Sequence, residues 1–414
     1  MLRYTNPLNH VYKFENYGYT MKKLKIAIFT DVFLPKIDGV VSATLNLAKG
    51  MADRGHKIYI IAPKNGHNNE FKYKNIKVIR ISSIPALFYP EFKLTTPFSL
   101  KLYLELKKEK IDVIHFQTPL TIGLMGIIIG KMLKIPIVGT FHTMIADPQY
   151  LQHIKINGKI VQETAWRYAR AFYNRCDLIT CPSENIKREL LENKLKLPIK
   201  VISNGIDCSI FDNSQWKKFK DKYNISEKTL LFIGRIAYEK NIFYLLDCFK
   251  LVLNKMPEVK LILVGDGPQI NDVRRKIHKE GMDSNVILAG KINHSSLVKS
   301  GIFKACDIFV SASITENQPM TILEAQANGL PCVGISEKGM KNLIIDGHNG
   351  YLAKLDDKNT FAGRIVNLLK NKKLLNKMKK NTLKEIKIHR LPEVIKTWEK
   401  EYNGLIKSLI SKDI

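Results

Sequence analysis

The chain has 414 residues, 45% hydrophobic and 25% charged, which allows two or three domains with sizeable cores. Its 66 Lys and Arg against 38 Asp and Glu leave a formal net charge of +28. That excess points to a polyanionic partner (nucleic acid, an anionic membrane surface or a phosphorylated substrate), although a Lys-, Asn- and Ile-rich proteome would produce it too. The six cysteines are scattered without a C-x-x-C pair, which argues against a disulfide framework or cysteine metal site and fits a reducing compartment.

Residues 1–20 are polar and aromatic, lack the apolar core of a secretory signal, and are expected to be an extension without fold, with Met21 a candidate start. Strand and helix signals then alternate. Residues 25–30 read as an apolar strand, 34–39 as a turn-rich loop, 40–54 as a helix stopped by Gly55, and 57–62 as a strand closed by Pro63. This is a βαβ unit of a parallel sheet, and its first loop puts Gly39 at a helix mouth where backbone can approach a phosphate. It is not the G-x-G-x-x-G fingerprint, which argues against a dehydrogenase. Further strands are expected at 78–81, 113–116, 135–140, 178–181 and 199–203, with helices across 100–110, 122–133 and 158–174. The longest apolar run, 120–133, is interrupted by Lys131 and is too short to span a bilayer. One strand runs out on His142, at the carboxyl edge where open α/β sheets hold ligands; a purely structural histidine is the competing reading.

A second half begins near Phe211. Strand 230–233 runs into the loop from Gly234 to Asn241, followed by a helix at 243–254. Strand 260–264 runs into Gly265-Asp266-Gly267-Pro268, and strands at 286–288, 307–310 and 332–335 follow. The pattern predicts a second doubly wound sheet. From about Leu374 the tail reads as lysine-rich helix, with Trp398, Tyr402 and Leu405 on one face.

The stretch 311–331 carries the most chemistry. Pro319 suits the first position of a helix, and Gly329 with Pro331 supplies its stop. Glu316 then sits in the loop at the helix mouth and Glu324 lies within the helix. The mouth offers the N–H groups of Met320 and Thr321 and a positive dipole end, which favour a phosphate-type anion. Carboxylates flanking an anion site can accept from hydroxyls on both sides of a phosphate, as in a sugar nucleotide. Two solvated carboxylates on one helix face are the plainer alternative.

The Glu316–Glu324 spacing, taken with His142, Asn204-Gly205, Gly234-Arg235, Glu239-Lys240 and Gly265, resembles retaining glycosyltransferases of family 4. The likeness runs in order from Lys25 to about Leu405 and implies an α/β protein of the GT-B fold, two Rossmann-like doubly wound domains facing a central cleft. By that resemblance, 21–207 would bind the acceptor and 208–392 the nucleotide-sugar donor. Helix 393–414 would return onto the first domain, a plain amphipathic end helix being the alternative. Glu316 would contact the transferred sugar, and Glu324 and Gly265 the nucleotide. Gly39, Arg235, Lys240, Asn317, Gln318, Met320 and Thr321 would hold diphosphate and sugar, with His142 and Glu316 the catalytic pair. No D-x-D motif occurs, so the fork of Arg235 and the point charge of Lys240 are expected to hold the leaving diphosphate without metal or other cofactor. Two departures stand out: Pro319, where a glycine is common, removes one N–H donor, and Asp38-Gly39 replaces a glycine pair.

On the acceptor side, Gln117-Thr118-Pro119 before a glycine-rich apolar helix, and Phe141-His142-Thr143-Met144, look like enzymes that glucosylate diacylglycerol. The segment 87–92 and the helix after His142, with Arg167, Arg170 and Arg175 among Trp166, Tyr168, Phe172 and Tyr173, are expected to lie on an anionic membrane; ordinary packing is the alternative. The expected enzyme moves a hexose from a UDP-sugar to a membrane lipid such as diacylglycerol, peripheral on the cytoplasmic face. The alternative is a soluble GT-B enzyme with a carbohydrate, cell-wall or small-molecule acceptor. Nucleic acid is not expected as a partner, because the lysines are spread rather than clustered and no recognised module is present.

Overall fold

The structure, a computed structural model, describes residues 22–35, 38–64, 71–86, 89–142, 159–225 and 228–411, with backbone only at 85–86, 89–92 and 159. The expected extension 1–20, Leu87 and Phe88, Thr143 and Met144, and the last three residues of the terminal helix lie outside the described residues.

In chain order the first half contributes β1 (Lys25–Phe29), β2 (Lys57–Pro63), β3 (Ile76–Ile81), a ribbon of β4 (Ile84–Ala86) and β5 (Tyr89–Leu94), then β6 (Val113–Phe116), β7 (Ile137–Thr140), β8 (Leu178–Cys181) and β9 (Ile199–Val201). All but the antiparallel ribbon join a parallel sheet of order β3-β2-β1-β6-β7-β8-β9. The second half adds β10 (Thr229–Ile233), β11 (Lys260–Val264), β12 (Val286–Gly290), β13 (Ile308–Ser311), β14 (Cys332–Ile335) and β15 (Gly350–Ala353), parallel in the order β12-β11-β10-β13-β14-β15. These are the two doubly wound sheets of the expectation. Beyond it lie β15, the ribbon, and the helices Glu184–Glu192, Trp216–Tyr223 and Lys358–Lys370.

The strands read as unbroken apolar runs because helices cover both faces of each sheet. Val113 to Phe116 is buried at every position, and β1 sends Ala27 and Phe29 into one core and Ile26 and Ile28 into the other. Helix starts follow local chemistry: the Asp38 carboxylate accepts from the Val41 N–H at 2.9 Å and caps the helix Gly39–Asp53.

The aromatic helix Lys159–Tyr173 places three of the rings assigned to a membrane interface in the core instead. Trp166, Phe172 and Tyr173 are buried in the first-half core, where Trp166 stacks on Phe141 and Phe172 meets Phe116 edge-on. Tyr168 alone among its four aromatics is exposed, and its hydroxyl is hydrogen-bonded to the Pro119 carbonyl. An apolar ring gains more from this close packing than from a wet interface. Among the described residues no helix is long and apolar enough to cross a membrane. The six cysteines are free thiols, five of them buried.

After the helix Lys372–Glu385 the chain turns and crosses to the first half. The Ile206 N–H donates to the His389 carbonyl at 2.8 Å and the Leu391 N–H to the Ile206 carbonyl at 2.9 Å. The helix Leu391–Ile410 then lays Leu391, Val394, Ile395, Trp398 and Tyr402 against Ile26, Ile28, Val41, Val113 and Val138. Trp398 stacks on Tyr402 at 5.2 Å and lies 4.7 Å from the His115 ring. Buried Glu399 accepts from Arg54 Nε at 2.7 Å and lies 2.8 Å from His56 Nε2. Trp398→Ala is expected to cost about 3–5 kcal/mol in chemical denaturation of the first half. A loss below about 1 kcal/mol would mean that the returning helix is not part of that core.

Candidate active site

In a parallel sheet every loop that follows a strand opens at the same edge, and ligands gather where the strand order reverses. In the second half that point lies between β10 and β13, whose loops carry residues 234–241 and 312–319. Lys240 ends a single 3-10 turn, Tyr238–Lys240, and its Nζ forms an ion pair with Glu316 Oε1 across this point. Both side chains are about one-fifth exposed (22% and 21%), so the pair is sheltered yet reachable from the cleft. The Ile314 N–H, 3.4 Å from the Glu239 carbonyl, holds the two loops together. Arg235 is exposed at the start of the same β10 loop.

Gly265 follows β11 beside them. Its φ is +143°, and a Cβ there would stand 1.8 Å from the Gly234 carbonyl oxygen, so no other residue lets these loops meet. The Ile236 N–H donates to the Asp266 carbonyl at 2.9 Å and fixes the approach.

Pro319 stands ahead of the helix Met320–Ala327 with φ −67° and ψ 117°. Its carbonyl accepts from Ile322 at 3.1 Å and Leu323 at 3.3 Å, while the N–H groups of Met320 and Thr321 donate to no described residue. An open helix mouth therefore lies beside Lys240, an arrangement that favours an anion. Glu324 is buried within the helix, its Oε1 2.8 Å from His294 Nε2. That hydrogen bond raises the His294 pKa, against burial and the nearby charge of Lys49.

Asn317 and Gln318 point to the other half. Asn317 Nδ2 donates to the His142 carbonyl at 2.6 Å, and Gln318 Oε1 accepts from the Asn204 N–H at 2.8 Å and the Ser203 hydroxyl at 3.3 Å. Asn317 Oδ1 is buried and, among the described residues, has no hydrogen-bond partner. His142 is half-buried, and burial lowers its pKa to about 4. Its Nε2 lies 2.7 Å from Gln117 Oε1. Gly39 opens its helix from the first half, and a Cβ there would meet nothing within 4 Å, so space lies in front of it.

The structure thus brings Lys240, Glu316 and the mouth at Met320 and Thr321 together, with Arg235 and Gly265 on adjoining loops and Glu324 one helix turn inward. His142 joins them through Asn317. Gly39 stands in the other half, with no bond to that group among the described residues. Two neighbours escaped the sequence reading, and a third, Gln117, entered it only within the acceptor-side stretch Gln117-Thr118-Pro119. Gln117 directly follows β6, at the edge where ligands gather. His294 carries no motif, and only the fold brings it to Glu324. Lys338, half-buried with its pKa lowered to about 8 by burial, sits in the loop after β14, where its carbonyl accepts from Asn185 Nδ2 at 3.0 Å. The next residue, Gly339, donates to the Glu316 carbonyl at 2.8 Å, and a Cβ there would lie 2.0 Å from the Asn317 carbonyl oxygen.

Residues 37–210 match the family model described as Glycosyltransferase Family 4, and residues 214–385 match Glycosyl transferases group 1. The alpha-monoglucosyldiacylglycerol synthase of Streptococcus pneumoniae is 33% identical over 337 residues, 80% of this chain and 75% of that protein. The alpha-monoglucosyldiacylglycerol synthase of Acholeplasma laidlawii is 27% identical over 406 residues, 94% and 98% of the two chains. Among solved structures, Anabaena HepE in complex with UDP and glucose matches with a TM-score of 0.73 at 19% identity, over 92% of this chain and 100% of that one, a likeness of fold. With two parallel sheets meeting at their carboxyl edges and both halves matched, the chain belongs to glycosyltransferase family 4, as a hexosyltransferase of the GT-B fold.

Proposed function

We propose that this enzyme moves a hexose from a nucleotide sugar, a UDP-sugar, to a membrane lipid of the diacylglycerol type, with retention at the anomeric carbon and without a metal. The observation that carries the donor side is the Lys240–Glu316 pair beside the open mouth of the Met320–Ala327 helix. The lipid side is supported by two relatives, 33% and 27% identical, that are both named as alpha-monoglucosyldiacylglycerol synthases.

In this reading the donor diphosphate replaces Glu316 as the partner of Lys240, and the freed carboxylate accepts from hydroxyls of the sugar. Glu324 accepts from the ribose. The bond from C1 to the phosphate oxygen breaks as the acceptor oxygen bonds to C1 from the same face. The acceptor proton passes to the departing phosphate oxygen, so the products are a glycoside and a nucleoside diphosphate. Charge developing on the diphosphate meets Arg235, Lys240 and the N–H groups of Met320 and Thr321, cations and dipoles already in place. With a pKa of about 4, His142 is neutral near pH 7 and serves as a hydrogen-bond partner rather than a cation.

A second reading, a soluble acceptor such as a carbohydrate, gains from the burial of Trp166, Phe172 and Tyr173, which removes one surface assigned to a membrane. An assay of the purified protein with UDP- and GDP-sugars separates the two. It is run in excess EDTA, against a lipid extract in anionic or neutral vesicles and against water-soluble sugars, and read by product mass. A hexosyl lipid from a UDP-sugar, undiminished by EDTA and favoured by anionic vesicles, is expected; product on soluble sugars alone would overturn the lipid reading.

Lys240→Ala and Arg235→Ala are each expected to lower kcat about 10²–10³-fold, the scale of losing one preorganised donor to transition-state charge, with circular dichroism unchanged. Wild-type kcat in both would remove the clamp. For His294 the raised pKa means that the folded state favours the protonated ring. Its stabilisation is full below the ordinary value of about 6.5 and fades as pH rises through the raised one. The thermal midpoint gap between wild type and His294→Ala should therefore be widest below the ordinary value of about 6.5 and shrink as pH rises through the raised one. A gap independent of pH would count against a charged His294–Glu324 pair.

A further inference from the structure

Gln117 stands between two imidazoles. It is 3% exposed, its Nε2 lies 3.0 Å from His115 Nε2, and its Oε1 lies 2.7 Å from His142 Nε2. His115 places Nδ1 2.7 Å from the Tyr402 hydroxyl and Nε2 2.6 Å from the Thr140 hydroxyl, which is 2.6 Å from that of Thr180. A chain of polar contacts thus runs from the terminal helix through the sheet to the cleft, where the His142 carbonyl accepts from Asn317.

An amide donates only through nitrogen and accepts only through oxygen. Set between two neutral imidazoles, it requires unlike Nε2 atoms on them: a lone pair on the ring facing its nitrogen and an N–H on the ring facing its oxygen. With its carbonyl toward His142, Gln117 demands Nε2–H on His142 and a bare Nε2 on His115. The His142 ring then retains Nδ1 as its one hydrogen-bond acceptor. Both rings are neutral near pH 7, His115 lowered well below its ordinary value and His142 to about 4, each chiefly by burial, so there is a tautomer to select.

We propose that Gln117 is a positioning residue that orients His142 and holds it in the Nε2–H tautomer, so that Nδ1 is the ring atom that accepts from a hydroxyl of the bound sugar or acceptor. The assignment rests on the reading of His142 as part of the transfer site. A leucine of similar size cannot select a tautomer. A glutamate in ionised form has two acceptors, calls for Nε2–H on both rings, and favours their protonated forms.

The test is 15N NMR of the full chain labelled at histidine, with the His142 signals assigned by their loss in His142→Ala. Wild type should show His142 protonated at Nε2 and bare at Nδ1 near pH 7, and Gln117→Leu a mixture of tautomers. In the same variant kcat should fall about 10–100-fold, the scale for removing an outer partner of a working histidine, while KM for the nucleotide sugar stays within about threefold. Gln117→Glu, nearly isosteric and a control should the leucine variant not fold, should raise the pH at which His142 titrates and carry the kcat–pH profile with it. A His142 tautomer unchanged in Gln117→Leu, an Nδ1–H form in wild type, or an unmoved titration in Gln117→Glu would each overturn the proposal. The NMR outcome does not depend on the substrate: absence of transfer from every nucleotide sugar would sink the proposed function and leave the tautomer result to be judged by itself.

Discussion

The candidate site depends on two hydrogen bonds that carry neighbouring residues of one domain onto the backbone of the other: Asn317 Nδ2 to the His142 carbonyl, at 2.6 Å, and Gln318 Oε1 from the Asn204 N–H, at 2.8 Å. A helix mouth on one sheet and a histidine on another can cooperate only if their separation is set to within a fraction of an ångström. Contacts to backbone atoms do this well, because backbone position does not change with the rotamer of a neighbour. Gly339 completes the arrangement from below: no side chain fits between it and Asn317, so the loop after β14 closes directly onto the Glu316 segment.

The electrostatics of the cleft follow from the same geometry. A formal charge of +28 creates a general attraction for anions but no specificity, since most of those lysines are screened at the surface. What distinguishes Lys240 is its shelter and its partner. Paired with Glu316, it is kept from being an isolated half-buried cation. Glu324, buried more deeply, is met by His294 rather than left unpaired. Lys338 has its pKa lowered by burial, so an incoming anion would favour its charged form.

The returning helix ties the cleft to the core of the first half. Trp398 and Tyr402 close one face of the sheet, and the Tyr402 hydroxyl meets His115, which meets Gln117, which meets His142. Side chains whose main task is packing thus set the surroundings of a ring at the cleft edge. Satisfied polar chains of this kind are rigid, because each broken link would leave a buried donor or acceptor without a partner.

Much of this was legible in the sequence. Short apolar runs alternating with helical periodicity specified two parallel sheets, since strands covered on both faces have few positions open to polar residues. Turn chemistry located the helix mouth at Pro319, and the Glu316, Glu324, Arg235 and Lys240 pattern singled out one edge of the second sheet. Aromatic content misled: the helix bearing Trp166, Phe172 and Tyr173 presents the same composition whether its rings meet lipid or a core, and only the neighbouring Phe116 and Phe141 decide for the core. His294 next to Glu324, Gly339 beneath Asn317 and Gln117 against His142 were equally out of reach, being pairs 30, 22 and 25 residues apart. Local sequence determines which segments are helix, strand and turn through short-range sterics and periodic burial. Which side chains then share a hydrogen bond is decided by how the two sheets pack, and that depends on the whole chain at once.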